Sequence, residues 1–289
     1  KIYRCENCEF SFVNPMPNEK DLDYYYENVY RTFERPPYFL TGDIEDLKLE
    51  CLDDRNLNYL VYLTTLLDFS KIKKIYDFGA GNGDLGYLLK KKFPHLELFC
   101  SEGDSQCKQI LSERGYKNFK NLRDINEKFD LIITLHSLEH LVNSEIYGAF
   151  KNLLSDNGYI FFEVPNCPQE YFDKRASDSP HLLFYTKKSF EKLNDIYGYK
   201  FLNFSTSSYS FDYDRKFSFD SMKQYESINK SSLPLLRIKR LLRKILPRKI
   251  IQFRRDLNQL KLKKSEDRIN WFINNSKDGC YIRGIVSKN

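Results

Sequence analysis

Apolar and polar positions divide the chain into a lead, a periodic body and a polar stretch near its end. Residues 1–42 carry no sustained period and are rich in aromatic residues, from Cys5-x-x-Cys8 through the turn Asn14-Pro15-Met16-Pro17 to Tyr24-Tyr25-Tyr26. An apolar-periodic run from Asp43 to Phe69 predicts a helix, with Thr41-Gly42-Asp43 as its start signal. Short apolar runs and amphipathic runs then alternate. They predict strands at 72–79, 96–102, near 117–120, at 128–135, 159–166 and 198–209, and helices at 83–93, 104–114, 144–155 and 187–197. The run at 128–135 is almost continuously apolar, as in a strand buried on both faces. Helix 144–155 presents Ile146, Phe150, Leu153 and Leu154 on one side and is expected to stop at Asn157-Gly158. Thr186 is the expected N-cap of helix 187–197. A last strand, 280–288, follows only after the polar, basic residues 210–277. Repeated strand–helix units predict an α/β fold whose parallel sheet carries helices on both faces, with no internal repeat.

Composition narrows the class. The chain has 289 residues, 41% of them hydrophobic and 16% aromatic, which suffices for a core and excludes wholesale disorder. No run approaches the roughly 18 apolar residues that a bilayer span requires. No secretory signal is visible, and a first residue Lys1 rather than Met points to upstream residues outside this sequence. Seven cysteines at irregular spacings suit a reducing, cytoplasmic setting rather than a disulfide framework. Three alanines against abundant Lys, Asn, Ile, Tyr and Phe point to an AT-rich bacterial genome. The net charge of +6 hides an asymmetry: residues 237–264 hold 12 Lys/Arg and one acid, Asp256, leaving 34 basic against 39 acidic residues elsewhere. The basic character belongs to one segment, not to the fold.

The loop after the first body strand, "YDFGAGNGDLG" (76–86), supports two matches. Gly81-x-Gly83-x-x-Gly86 fits a dinucleotide fingerprint, with Glu102 placed to hold a ribose. Asp77-x-Gly79-x-Gly81-x-Gly83 fits an S-adenosylmethionine loop. In both, glycine lets the backbone turn sharply and approach a ligand. Asp77 separates them, because a carboxylate there suits the ammonium of an amino-acid moiety and repels a pyrophosphate.

Together with "LFCSEGD", "FDLIITLHSLEHL" and "LLSDNGYIFFEVPN", in that order, this loop makes residues 72–166 resemble class I S-adenosylmethionine-dependent methyltransferases. The resemblance implies a Rossmann-like, doubly wound seven-stranded sheet, last strand antiparallel, formed by residues 43–209 and 278–289. The lead 1–42 and a basic helical insert 210–277 would flank it. It implies S-adenosylmethionine as cofactor, contacted by Asp77, Gly79, Ala80, Gly81 and Gly83. Glu102 would bind the ribose hydroxyls, and Leu135 and His136 would lie against the cofactor; the adenine contact stays open between Asn121 and Asp124.

His136-x-x-Glu139-His140, in isolation, matches an inverted zinc-peptidase signature. Its position behind a buried strand, the glycine loop and the lack of a third ligand at helical spacing oppose that reading, and the segment resembles the "LEH" stretch of these methyltransferases. In the quinone-methylating branch, related acids hold magnesium here; His136 stands where the first would be, which weakens that option. Cys5 and Cys8 form half of a four-cysteine zinc site, and the region resembles the lead of sugar methyltransferases that carry two such pairs. None of Cys51, Cys100, Cys107, Cys167 or Cys280 makes a second pair, so structural zinc needs ligands from outside this sequence, or the pair is vestigial. "YYYENVY" (24–30) reads either as a lid or as packing against the body.

The resemblance and the lead imply methyl transfer, O-methyl in type, to a sugar or other small molecule, nucleotide- or lipid-linked, in bacterial surface-polysaccharide (capsule or O-antigen) biosynthesis. The alternatives are a methyltransferase for lipid or quinone headgroups and a catalytically silent binding protein of the same fold. His140 and His181 compete as the base that removes the acceptor's proton, His181 being favoured by its "H…T…F" context. Residues 237–264 read as a solvated helical insert, or as a contact with the anionic inner membrane surface or a lipid-linked glycan. Nucleic acid is disfavoured, because the rest of the chain is acidic.

Overall fold

A computed structural model describes residues 1–26, 54–120, 122–174, 181–207 and 279–288. The predicted helix start at Asp43, residues 27–30 of the tyrosine-rich segment and the basic insert lie outside these residues. The lead forms β1 (Ile2–Arg4), β2 (Ser11–Val13) and α1 (Glu19–Tyr25). The body begins with α2 (Asp54–Leu66), β3 (Lys74–Phe78), α3 (Asp84–Lys92), β4 (Glu97–Ser101), α4 (Ser105–Glu113) and β5 (Tyr116–Asn118). It continues with β6 (Phe129–Leu135), α5 (Glu145–Leu153), β7 (Leu154–Pro165), α6 (Gln169–Lys174), β8 (Leu183–Phe184), α7 (Lys187–Tyr197), β9 (Tyr199–Ser207) and β10 (Tyr281–Lys288).

Seven strands form one sheet in the order β5-β4-β3-β6-β7-β10-β9. Neighbours from β5 to β7 run parallel, and β10 inserts antiparallel between β7 and β9. The chain winds from β3 outward to β5, then returns to place β6 on the other side of β3. That reversal opens a crevice beyond the carboxyl ends of β3 and β6, where sheets of this type bind ligands.

The doubly covered sheet follows from side-chain alternation along β6. Leu131 and Ile133 enter the core shared with α2 and α3, while Ile132 enters the core on the opposite face with Phe150 and Phe190; Phe129 joins that second core because the register shifts between Phe129 and Leu131. The predicted cap of α7 is present as a reciprocal pair: Ser189 N–H donates to Thr186 Oγ1 at 3.2 Å, and Thr186 N–H donates to Ser189 Oγ at 2.7 Å. Gly198, with φ of 66°, closes the helix.

One expected boundary is corrected. Asn157-Gly158 does not end α5, which stops at Leu153; β7 starts at Leu154, which pairs with Phe129. Gly158 lies inside the strand, where a Cβ would sit 2.8 Å from the Phe129 carbonyl oxygen. This glycine serves strand approach, not helix capping.

A second, small antiparallel sheet has the order β1-β2-β8, with Phe12 opposite Leu183 and Ser11 opposite Phe184. The lead is thereby hydrogen-bonded to the segment that begins at His181. No helix among the described residues is long and apolar enough to cross a membrane.

Candidate active site

The β3–α3 loop holds Gly79, Gly81 and Gly83 at φ of 68°, 54° and 67°, a left-handed run that other residues strongly resist. A Cβ on Gly79 would meet Ser137 Oγ at 2.2 Å, whereas one on Gly81 would meet nothing within 4 Å. The loop is therefore packed at Gly79 and open at Gly81. Gly81 N–H donates to Glu102 Oε2 at 2.6 Å, and Asp104 N–H donates to Glu102 Oε1 at 2.9 Å, which ties the end of β4 to the loop. Glu102 retains acceptor capacity, since a carboxylate offers about four lone-pair sites.

Asp77 ends β3 beneath this loop at 5% exposure. Burial, reinforced by the charges of Glu102 and Asp84, pushes its carboxyl up to about 8. Arg114 is committed to Asp84 at 2.5 Å and to the Asn82 carbonyl. The site thus concentrates acid and suits a cationic ligand, not a pyrophosphate. Gly86, the third glycine of the dinucleotide reading, has a packing explanation: a Cβ there would lie 2.0 Å from the Tyr116 hydroxyl, which donates to the Gly83 carbonyl. Of the two adenine candidates, Asn121 lies outside the described residues, and Asp124 ends the short 3-10 turn Leu122–Asp124.

Leu135 and His136 close β6 at the crevice. His136 has φ of 52°, and its N–H donates to the Glu163 carbonyl at 2.8 Å. Its Nε2 lies 3.1 Å from Glu163 Oε1. Glu163 is itself fully buried and accepts from Tyr59 Oη at 2.5 Å, Ser207 Oγ at 3.1 Å and Arg283 Nε at 2.6 Å. The Arg283 guanidinium lies over the Tyr59 and Tyr62 rings. This network was not expected from the sequence, although a lone charge in each of two apolar strands was a signal. Glu163 and Arg283 are direct register partners of β7 and β10.

The rivals for the catalytic base are neighbours. The rings of His140 and His181 lie 4.9 Å apart, and Tyr26 from the lead places its hydroxyl 2.8 Å from His140 Nδ1. Between them Glu139 is 1% exposed. Burial would raise its carboxyl, but a hydrogen bond from His136 and the charges of His140, His136 and His181 outweigh that and hold it down at about 2. The Leu182 N–H donates to the Glu139 carbonyl at 2.8 Å and fastens the two loops. His136 and His140 do not share a helical face, because Leu138–His140 is a 3-10 turn and His136 precedes it in a left-handed conformation. The peptidase geometry is absent.

Cys5 and Cys8 sit in the β1–β2 turn, Cys5 exposed and Cys8 half-buried. Hydrogen bonds from the Cys8 backbone and side chain lower the Cys5 thiol pKa. They could supply two zinc ligands; the described residues group no third Cys, His or carboxylate with them. Cys100, Cys107, Cys167 and Cys280 are buried, and Cys51 lies outside the described residues.

Residues 51–203 match the sequence model of the family described as "Methyltransferase domain". No curated protein matches the chain in sequence. Among solved structures, coclaurine N-methyltransferase bound to N-methylheliamine and S-adenosylhomocysteine superposes with a TM-score of 0.53 at 12% identity, covering 93% of this chain and 86% of that one. The plantazolicin methyltransferase BamL, in complex with a triazolic desmethylPZN analogue and S-adenosylhomocysteine, gives 0.49 at 13% identity over 93% and 97% of the two chains. Magnesium protoporphyrin IX methyltransferase from Synechocystis, with bound S-adenosylhomocysteine, gives 0.49 at 13% identity over 66% and 94%.

Proposed function

The chain belongs to the methyltransferase-domain family, and within it we propose transfer of the methyl group of S-adenosylmethionine to a hydroxyl of a sugar or other small molecule. The observation that carries the cofactor is buried Asp77, faced by acids, beneath a loop that is open at Gly81. Asp77 would take the cofactor's ammonium, and the backbone of Gly79, Ala80, Gly81 and Gly83 would cradle its amino-acid part. Glu102 would take the ribose hydroxyls, while Leu135 and His136 would border the sulfonium. The fold shared with the coclaurine enzyme, solved with S-adenosylhomocysteine, supports the same cofactor.

Transfer from a sulfonium is an in-line displacement: the acceptor oxygen forms its bond to carbon as the sulfur–carbon bond breaks, and the hydroxyl proton must leave. Catalysis depends on holding that oxygen about 3–3.5 Å from the methyl carbon. His140 and His181, with Glu139 and Tyr26, form the polar cluster available for that proton. The acceptor class, a glycan precursor of bacterial surface-polysaccharide biosynthesis, rests on the likeness of the Cys5/Cys8 lead and the "LEH" segment to sugar methyltransferases. Calorimetry should give micromolar affinity for S-adenosylhomocysteine and none for NAD; the reverse would remove the cofactor assignment. A panel of nucleotide sugars and glycan fragments, scored for labelled-methyl transfer, tests the acceptor.

A further inference from the structure

We infer that Glu163 is a positioning residue for the cofactor: braced by Arg283, it holds His136 in the left-handed conformation that turns the chain out of β6 and against the glycine loop. The inference rests on the cofactor assignment proposed above. Among the described residues, His136 and Glu9 are the only non-glycine residues with positive φ. A side chain in this region costs of the order of a tenfold factor in population, and the conformation persists only where its surroundings over-determine it. Here they do. Glu163 grips His136 at two points: its carbonyl accepts the His136 N–H at 2.8 Å, and its Oε1 lies 3.1 Å from Nε2. The rest of the ring is confined as well, with Nδ1 3.4 Å from Glu139 Oε1 and the Tyr281 ring nearly perpendicular to it at 5.1 Å.

Glu163 is itself fixed. Besides His136, its oxygens accept from Tyr59 of α2, Ser207 of β9 and Arg283 of β10, which uses the about four acceptor sites that a carboxylate offers. A carboxylate placed in this way only accepts, so His136 Nε2 carries the proton between the two groups. Arg283 supplies the matching charge from the position of β10 directly opposite Glu163. The resulting turn is felt at the glycine loop. Ser137, the next residue, places its Oγ 3.4 Å from the Gly79 carbonyl oxygen and 3.2 Å from that of Leu135. A Cβ on Gly79 would fall 2.2 Å from the same Oγ, so the two segments are already in close contact. A shift of His136 therefore drives Ser137 against the loop that would cradle the cofactor's amino-acid part. Glu163 and Arg283, both fully buried, act on the crevice through His136.

The test is calorimetry of S-adenosylhomocysteine binding to the full chain and its variants. Glu163→Leu with Arg283→Met removes acceptor and cation together, so that neither charge is left buried alone. The pair should weaken binding about tenfold or more in the presence of His136. In a His136→Gly chain it should cost no more than about twofold further, because glycine takes the left-handed conformation without a clamp. A purely structural pair would cost the same in both. Glu163→Gln with Arg283→Met keeps an oxygen for Nε2 and should recover most of the loss. His136→Val leaves the buried carboxylate and its cation in place and decides the matter where the apolar pair does not fold. A β-branched residue resists positive φ, so His136→Val should bind at least tenfold more weakly than His136→Gly. An equal loss in the two backgrounds, or equal affinities of His136→Val and His136→Gly, overturns the inference. The clamp is also read without ligand, as an exchange-protected ring N–H proton resonance of His136, one of four histidines, that Glu163→Leu with Arg283→Met abolishes. Absence of that resonance would remove the clamp. Its presence in an unsubstituted chain that does not bind S-adenosylhomocysteine would instead sink the cofactor assignment and leave the clamp standing.

Discussion

Asp77→Asn is expected to stabilise the ligand-free protein while removing its affinity for S-adenosylhomocysteine. Burial, then the charges of Glu102 and Asp84, raise the Asp77 carboxyl from 3.8 in the unfolded chain to about 8 in the fold. The folded state therefore binds the extra proton between those values, and its stability from this group is full below pH 3.8 and falls as pH rises towards 8. Each pH unit corresponds to about 1.4 kcal/mol, so the whole window amounts to roughly 6 kcal/mol as an upper bound. Asparagine carries no charge to bury. Its advantage over Asp77 should be small at pH 5, larger at pH 7 and level above pH 8, and even ~2 kcal/mol moves the thermal midpoint by several degrees. Urea unfolding of both proteins at pH 5, 7 and 9 reads this difference directly. Binding of the cofactor's ammonium favours ionised Asp77, so below pH 8 the unsubstituted protein should release a proton on binding, measurable by calorimetry in buffers of different ionisation enthalpy. A pH-independent difference between the two proteins, or an Asp77→Asn variant that keeps its S-adenosylhomocysteine affinity, would refute the reasoning.

Gly86→Ala should destabilise the fold by about 1–3 kcal/mol through overpacking against Tyr116, and adding Tyr116→Phe should recover part of that loss in thermal unfolding. Arg283→Met leaves Glu163 buried without its cation, so it should cost about 3–5 kcal/mol; denaturation showing a neutral effect would mean that Tyr59, Ser207 and His136 suffice. The 12 basic residues of 237–264 should give salt-sensitive binding to anionic vesicles, and deletion of 220–276 should abolish it with cofactor affinity retained. Indifference of the full chain to such vesicles at low salt would remove the membrane contact.

Most elements of the body could be read from the chain because their causes are local. The continuous apolar run of β6, the cap Thr186 and the glycines at 79, 81 and 83 each answer a requirement met within a few residues. Asp77 was likewise singled out from its place at the end of a strand. Its burial among Glu102, Asp84 and Tyr116 needed the packed sheet. Gly158 misled for the same reason: its value lies in a close approach to Phe129, a neighbour across the sheet that local pattern does not reveal. That His140 and His181, 41 residues apart, lie with their rings 4.9 Å apart could not be read from local pattern; it follows from the packing of their two loops. Tyr26 reaches His140 from a lead that had no clear period, and Arg283 reaches Glu163 from a strand beyond the insert. Periodicity specifies which face of an element is buried; which distant side chains share that burial follows from sheet order and register, which form only when the whole chain packs.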